Sequence, residues 1–461
     1  MVCAFLPQTG LLLPFAAFFV PALLWLLFGK NSRGYGVCLL LGALAGLLLT
    51  AHTRQKLDRV HTAYADREVT LTAEVEEVSV SYYPGVVHAV LRVEPTGGEK
   101  TVFRVECVCM PKCTAGERVQ ARFALEVPAR TQQLSSYADG IALSGEYLSG
   151  MKHLGPSESF RAKTARLQRR LSAALRKGMA QGPAGVLAAM VLGDRTHLPK
   201  DLRSAYRAAG LSHVLVVSGM HVSILCGSVF AKYLPEKKKR ERGYASRRRQ
   251  ALFSAAMALL LAGVTGLTPS VLRAATTVWV SALGVWVYGP PDALTSLGVA
   301  GVWMTLGNSY AVCDIGFELS FAAVLGTLAG AELARKSRRF PLLRNGVWET
   351  LCVSACASAA TFPVLVLRGL SASLYALVSS VAMLWLVEPI LQLGLATALL
   401  GCWPALAPLH RVCSLCAATL AGCLNRWALW VSGWPGAQIY FDTACAALIC
   451  LLLLGLGWLA Y

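Results

Sequence analysis

Long apolar runs parted by short polar breaks make up most of this chain, and one stretch near its start follows a different rhythm. Within residues 1–51, positions 10–29 and 35–51 are apolar runs on either side of Lys30, Asn31, Ser32 and Arg33. Further runs lie near 251–268, 271–288, 294–310, 313–332, 346–367, 373–400, 408–433 and 442–460, with Glu388 and Pro389 marking a break inside the third from last. Runs of roughly 18 or more apolar residues cross a bilayer as helices. Ten or eleven membrane helices are therefore predicted. The first run has the core of a signal peptide, but a second follows at once, which predicts a retained anchor.

Residues 52–155 instead alternate between apolar and polar positions. Val69–Tyr83, Val86–Glu94, Lys100–Met110, Glu117–Pro128 and Ala142–Met151 have period-two patterning with β-branched residues, and Pro/Gly-rich turns punctuate them. Five short strands suit a small barrel of the OB type. The fold class expected is a polytopic α-helical membrane protein with an inserted extracytoplasmic all-β OB-like domain. Such barrels often bind single strands through basic and aromatic side chains. Tyr82, Tyr83, Arg92, Phe103, Arg104, Lys112, Arg118 and Arg122 are the candidates. Glu74, Glu76 and Glu77 make the face mixed, so a packing or spacer role stays open.

Residues 156–182 form a basic amphipathic helix, with Phe160, Leu167, Leu171 and Leu175 on one side, of the kind that lies in a membrane interface. The remaining residues, 183–461, are the main membrane region. It opens with a piece, 184–192, too short to span, which predicts a buried or re-entrant segment leading to Asp194 and Arg195. Residues 210–225 are apolar but carry Ser212, His213, Ser218, Gly219 and His221. At helical spacing His213, Val217 and His221 share a stripe. Polar groups at membrane depth face a bundle interior or a wet cavity, so the stripe either bonds neighbouring helices or lines a path. Arg273, Asp314 and Glu318, in or at the ends of spans, are expected to be satisfied by a partner helix or an interface.

Composition narrows the choice. The 461 residues are 55% hydrophobic with a formal net charge of +18. Nine Lys or Arg fall within 232–249 and five within 335–344, which fixes these loops against an anionic inner leaflet; the basic loop holding Lys30 and Arg33 is cytoplasmic by the same rule and places the alternating region outside. Fifteen cysteines lie mostly in apolar runs, and the lone pair Cys413/Cys416 lacks a second pair for zinc. If 52–155 faces an oxidising compartment, one disulfide involving Cys113 is expected, with Cys107 and Cys109 both open as partners. The eight histidines contain no HxH and no HExxH, so no metal is expected. No P-loop is present and no cofactor is implied. Ser218 lacks the glycine two residues before it that nucleophile turns favour, and no third group is evident to orient a histidine base. The chain is not read as an enzyme; an intramembrane hydrolase is the weakest alternative. A secondary transporter of a small anionic solute remains open, although no internal repeat relates the two halves.

Several stretches together resemble the ComEC family of competence proteins. They are GDRTHLP at 193–199, GLSHVLVVSGMHVSIL at 210–225, PSVLRAA at 269–275 and DIGFELSFAAVLG at 314–326, with SSYADGIALSGEYLSG at 135–150 resembling the end of the family's N-terminal domain. The resemblance implies an inner-membrane channel that passes one strand of transforming DNA inward, the OB-like domain receiving it outside. It also implies a cytoplasmic helicase-like ATPase as partner, for which the 232–249 loop is the docking or exit surface. Longer members continue into a metallo-β-lactamase-like domain; with no HxHxD here, degradation of the second strand falls to a separate nuclease. Under that reading Asp194, Arg195, Ser212, His213, Ser218, Gly219, His221, Arg273 and Glu318 match motifs that line or brace the conduit. Asp194 is expected to pair with Arg195 or a neighbour, and Glu318 to brace a helix.

Overall fold

A computed structural model describes residues 33–80, 85–94, 102–225, 244–266, 269–287, 293–337 and 346–440. The chain divides into two compact units: residues 1–163 with 299–317, and residues 164–298 with 318–461.

The first unit is organised by a barrel. Helix α1 (Arg33–Tyr64) begins apolar, with Leu41, Leu44 and Leu48 exposed, and does not stop where its apolar run ends. Its last turns bury Val60 in the barrel core, with Leu57 and Tyr64 packed alongside, and His61 Nε2 lies 3.0 Å from the Ala142 carbonyl. A boundary at residue 51 is thus corrected: the helix runs on to Tyr64 because its polar half has a barrel to rest on.

Strands β1 (Arg67–Val80), β2 (Val86–Val93), β3 (Phe103–Pro111) and β4 (Glu117–Glu126) follow; after helix α2 (Gln133–Ala138) comes β5 (Ile141–Pro156). All five predicted strands form. They close in the order β1-β2-β3-β5-β4, an OB-like barrel in which β3 and β5 are the parallel pair. Period-two alternation turns Leu71, Ala73 and Val75, then Ala89, Leu91 and Val93, and Val119, Ala121, Phe123 and Leu125 inward to one core. The doubled polar pair Glu76–Glu77 breaks the alternation in β1, where the β1–β2 register shifts between Val75 and Glu77.

Helix α3 (Phe160–Arg176) contributes to both units. In the first, Ala162 packs against Gly116. In the second, Leu171 and Leu175 are buried in the main core, while Phe160 and Leu167 are exposed. The four leucine and phenylalanine positions therefore do not form one membrane-facing stripe; half of them hold the helix in the protein.

The second unit is helical. Helix α4 (Gln181–Leu192) is buried along residues Ala184–Leu192, as a short apolar piece surrounded by protein should be. Helix α5 (Lys200–Ala208), the short helix α6 (Gly219–Leu225) and helices α7 (Tyr244–Val264), α8 (Pro269–Val287), α9 (Ala293–Leu306), α10 (Ile315–Ser337), α11 (Gly346–Leu367), α12 (Ala376–Leu400) and α13 (Ala407–Ser432) complete the order, with residues 299–306 of α9 and 315–317 of α10 belonging to the first unit. The main core is built where Val186, Leu187, Met190 and Val191 of α4 meet Val387, Ile390 and Leu391 of α12 and Leu424 and Ala428 of α13. Tyr206 Oη donates to Asn425 Oδ1 at 2.8 Å, so the buried hydroxyl of α5 is satisfied by α13. Helices α10 and α11 approach closely through Gly326 and Gly330, where a Cβ would stand 2.5 and 2.6 Å from the carbonyl oxygens of Cys356 and Cys352.

Among the described residues five helices are long and apolar enough to cross a membrane: Ser270–Val287, Ile315–Lys336, Gly346–Leu367, Ala376–Leu400 and Pro404–Ser432. The protein is a polytopic helical membrane protein with an inserted β-domain. The runs at 10–29 and 442–460 lie outside the described residues. The run at 294–310 yields only 14 helical residues before a 3-10 turn at Ser309–Cys313. No break occurs at Glu388–Pro389; α12 continues through Pro389 as one helix of 25 residues.

Candidate functional site

The stretch from Gly210 to Leu225 is not one helix. Gly210 has a positive φ of 73°, and a Cβ there would stand 2.4 Å from that of Ala376, so only glycine turns the chain at this point. A 3-10 turn, Ser212–Val214, follows, and α6 starts afresh at Gly219. The predicted stripe is therefore broken: Ser212 and His213 are exposed, whereas His221 is wholly buried.

Ser218 and His221 together cap α6. The Ser218 N–H donates to His221 Nδ1 at 3.1 Å, Ser218 Oγ lies 2.7 Å from the same nitrogen, and the Val222 N–H donates to the Ser218 carbonyl at 3.1 Å. This is one half of a capping box, with the histidine ring accepting from the N-cap N–H as Glu or Gln three residues on would. Because Nδ1 accepts from the backbone, a neutral ring carries its proton on Nε2. That nitrogen is buried and makes no hydrogen bond among the described residues.

Helix α8 brings Arg273 against the start of α6. Arg273 is 9% exposed, and its Nε donates to Ser320 Oγ of α10 at 2.6 Å. A Cβ on Gly219 would stand 3.2 Å from Arg273 Nη2 and 3.8 Å from Nη1. Among the described residues no carboxylate pairs with this guanidinium. The carboxylate nearest in sequence to Ser320, Glu318, is committed elsewhere: Arg368 donates to it through Nε at 3.0 Å and Nη2 at 2.6 Å. That fork satisfies a buried carboxylate and braces α10, as expected for Glu318.

Asp194 does not pair with Arg195. It accepts from Ser172 Oγ of α3 and from the Thr196 N–H at 3.0 Å, while Gln168 Nε2 donates to the Leu192 carbonyl at 2.7 Å. These bonds tie α3 to the loop after α4. Arg195 is exposed.

On the barrel, Arg92 and Arg104 stand opposite one another on β2 and β3 and both turn to Glu76. The Glu76 side chain is 3% exposed; its oxygens lie 2.6 Å from Arg104 Nη2, 2.8 Å from Arg161 Nη1 and 3.8 Å from Arg92 Nη1. Arg118 pairs with Glu94, and Arg122 lies 2.7 Å from Glu68. Lys112 is exposed. Phe103 is a correction: at 5% exposure it fills the barrel core beside Tyr64, ring centroids 4.9 Å apart, and offers no stacking face. Its phase with the inward Val105 and Cys107 is the sign of this in the sequence. Tyr82 and Tyr83 lie outside the described residues. The grouping of Arg161 with Glu76 is not foreseen from the sequence; the doubled glutamate in a β-strand is the available signal.

The expected disulfide is also corrected. Cys107, Cys109 and Cys113 are free thiols. Cys107 points into the core, where burial, then Cys113 and Glu106, push its thiol up to about 12. Burial, then Glu117, pushes Cys113 up to about 11.

Apolar spans, an OB-like barrel and, where three helices meet, a buried arginine with no carboxylate partner among the described residues define a polytopic helical membrane protein with an inserted β-domain. Residues 190–461, more than half of the chain, match the family model described as Competence protein, and the chain belongs to that family. It is similar to ComE operon protein 3 of Bacillus subtilis (strain 168), with 24% identity over 218 residues. That alignment covers 47% of this chain and 26% of the relative, so it spans about a quarter of that protein's length. No solved structure matches.

Proposed function

We propose that this protein is the inner-membrane path by which one DNA strand enters a bacterial cell during competence. The carrying observation is Arg273, a buried guanidinium with no carboxylate partner among the described residues, within the region that matches the competence family. An unmatched buried cation costs several kcal/mol unless an anion or water meets it. A polyanion moving past is such a partner. Ser218 and His221 hold the start of α6 in this reading, and no bond-breaking is asked of them. The OB-like barrel lies outside and receives the strand; Arg92, Arg104, Lys112, Arg118 and Arg122, with Tyr82 and Tyr83, are its basic and aromatic contacts. A helicase-like ATPase docks on the cytoplasmic 232–249 loop, and a separate nuclease removes the second strand.

The test is uptake of labelled single strands into proteoliposomes, or into competent cells, by the full chain and by Arg273→Gln. Uptake should fall at least about tenfold, with unchanged protein level in the membrane. Undiminished uptake would sink the reading. Transport of a small anion that single strands do not compete with would favour a secondary transporter of an anionic solute, which could use the same arginine.

A further inference from the structure

The environment of Arg273 is more specific than an unpaired charge. Its Nε–H is taken by Ser320 Oγ, which fixes the plane of the guanidinium and leaves Nη1 and Nη2, the end of the fork, without an acceptor among the described residues. Gly219 lies beside that end: a methyl group there would sit 3.2 Å from Nη2 and 3.8 Å from Nη1, where it would crowd an acceptor oxygen reaching them. The absence of a Cβ at 219 therefore leaves the donor pair uncrowded, on an arginine that as a residue is 9% exposed. Such a pair suits one oxyanion bidentately, and lysine cannot copy it.

We infer that Gly219, Arg273 and Ser320 form a seat for a single phosphate group of the passing strand. This rests on the conduit reading for the identity of its occupant. Arg273 is the binding residue, Ser320 positions it, and Gly219 keeps the seat clear. The seat reads the backbone and not the bases, because phosphate contacts carry no sequence information. One phosphate is held at a time and must be released for the next.

The experiment uses the full chain in a phosphate-free detergent and follows thermal stability at constant ionic strength. Inorganic phosphate should raise the melting temperature of the wild type relative to chloride, since a ligand of the folded state stabilises it. A thymidine oligonucleotide should do the same, whereas its uncharged methylphosphonate analogue should not. Arg273→Lys and Gly219→Ala should each need roughly tenfold more phosphate for the same shift. Ser320→Ala, which keeps both the cation and the open seat, should weaken the response less. The unliganded melting temperature of each variant reports whether it folds, and Arg368→Lys serves as a control arginine outside the seat whose phosphate response should match wild type.

No phosphate shift in the wild type, or one untouched by both Arg273→Lys and Gly219→Ala, overturns the seat. Loss of the shift in vesicles containing phosphatidylglycerol, with no recovery on adding oligonucleotide, overturns the strand as occupant and assigns a lipid phosphate instead. The two readings fail separately. A phosphate shift without strand uptake removes the conduit and leaves an oxyanion seat; strand uptake without a phosphate shift removes the seat and leaves the conduit.

Discussion

The barrel and the helical unit treat arginine in opposite ways. On the barrel, Arg92, Arg104 and Arg161 gather on Glu76, while Arg118 and Arg122 each have their own glutamate. In the helical unit Arg368 is matched by Glu318, but among the described residues Arg273 has only a serine hydroxyl. At a wet surface a charge pair contributes little and its absence costs little. Inside a membrane region the same omission is expensive, so an unmatched cation there signals a use outside the fold. The comparison also bears on the basic barrel residues named as candidate nucleic-acid contacts. Of the candidate cations Arg92, Arg104, Lys112, Arg118 and Arg122, all but Lys112 already face carboxylates, and a strand must compete with these.

The largest expected effect separates the two arginines of the helical unit. Glu318→Ala strands Arg368 beside α10 and should destabilise the protein by about 3 kcal/mol, seen as loss of folded protein in detergent. Arg273→Gln should leave stability within about 1 kcal/mol of wild type while uptake is lost. Equal destabilisation by both would erase the distinction between a bracing and a working charge.

A smaller loss is expected where one carboxylate serves several arginines. Glu76→Ala should cost about 2 kcal/mol, discounted because the arginines are partly exposed. Hydrogen exchange should quicken along β1 and β2 near the bulge while the helical unit is unchanged.

The barrel should also lose stability in alkali. Cys107 has its thiol raised from 9.0 to about 12, so between those values the unfolded state loses a proton that the folded state keeps. Stability then falls as pH rises from about 9 through about 12, and is unaffected by this group below that window. Cys107→Ala should flatten the slope in an alkaline melting series. Maleimide at neutral pH should label exposed Cys109 ahead of buried Cys107 and Cys113. The smallest effect belongs to Arg122→Ala: both it and Glu68 have side chains 55% exposed, and the loss should stay below about 1 kcal/mol by denaturant titration.

Much of the architecture is legible in the residues themselves. Alternation predicts five barrel strands, and apolar runs predict the spans at α8, α10, α11, α12 and α13. Both are repeated local signals, since burial on one face of a strand or around a long helix imposes a period on many consecutive residues. The motif stretches around Gly210–Leu225, Arg273 and Glu318 likewise stand out as polar residues in apolar surroundings. Their arrangement does not. A helical stripe through His213 and His221 follows from spacing alone, but Gly210 meets Ala376 and the chain turns instead of continuing.

Order along the chain therefore sets the class of the protein: which segments cross the membrane, which alternate into a barrel, and which polar residues are out of place. Packing sets which arginine meets a carboxylate among the described residues and which does not. It gave Glu318 to Arg368 across 50 positions, drew three arginines to Glu76, and set Gly219 beside the guanidinium of Arg273. The reason is physical. A periodic pattern is written in neighbours along the chain, whereas a charge is satisfied by whichever group packing brings within about 3 Å, and no local spacing records that meeting.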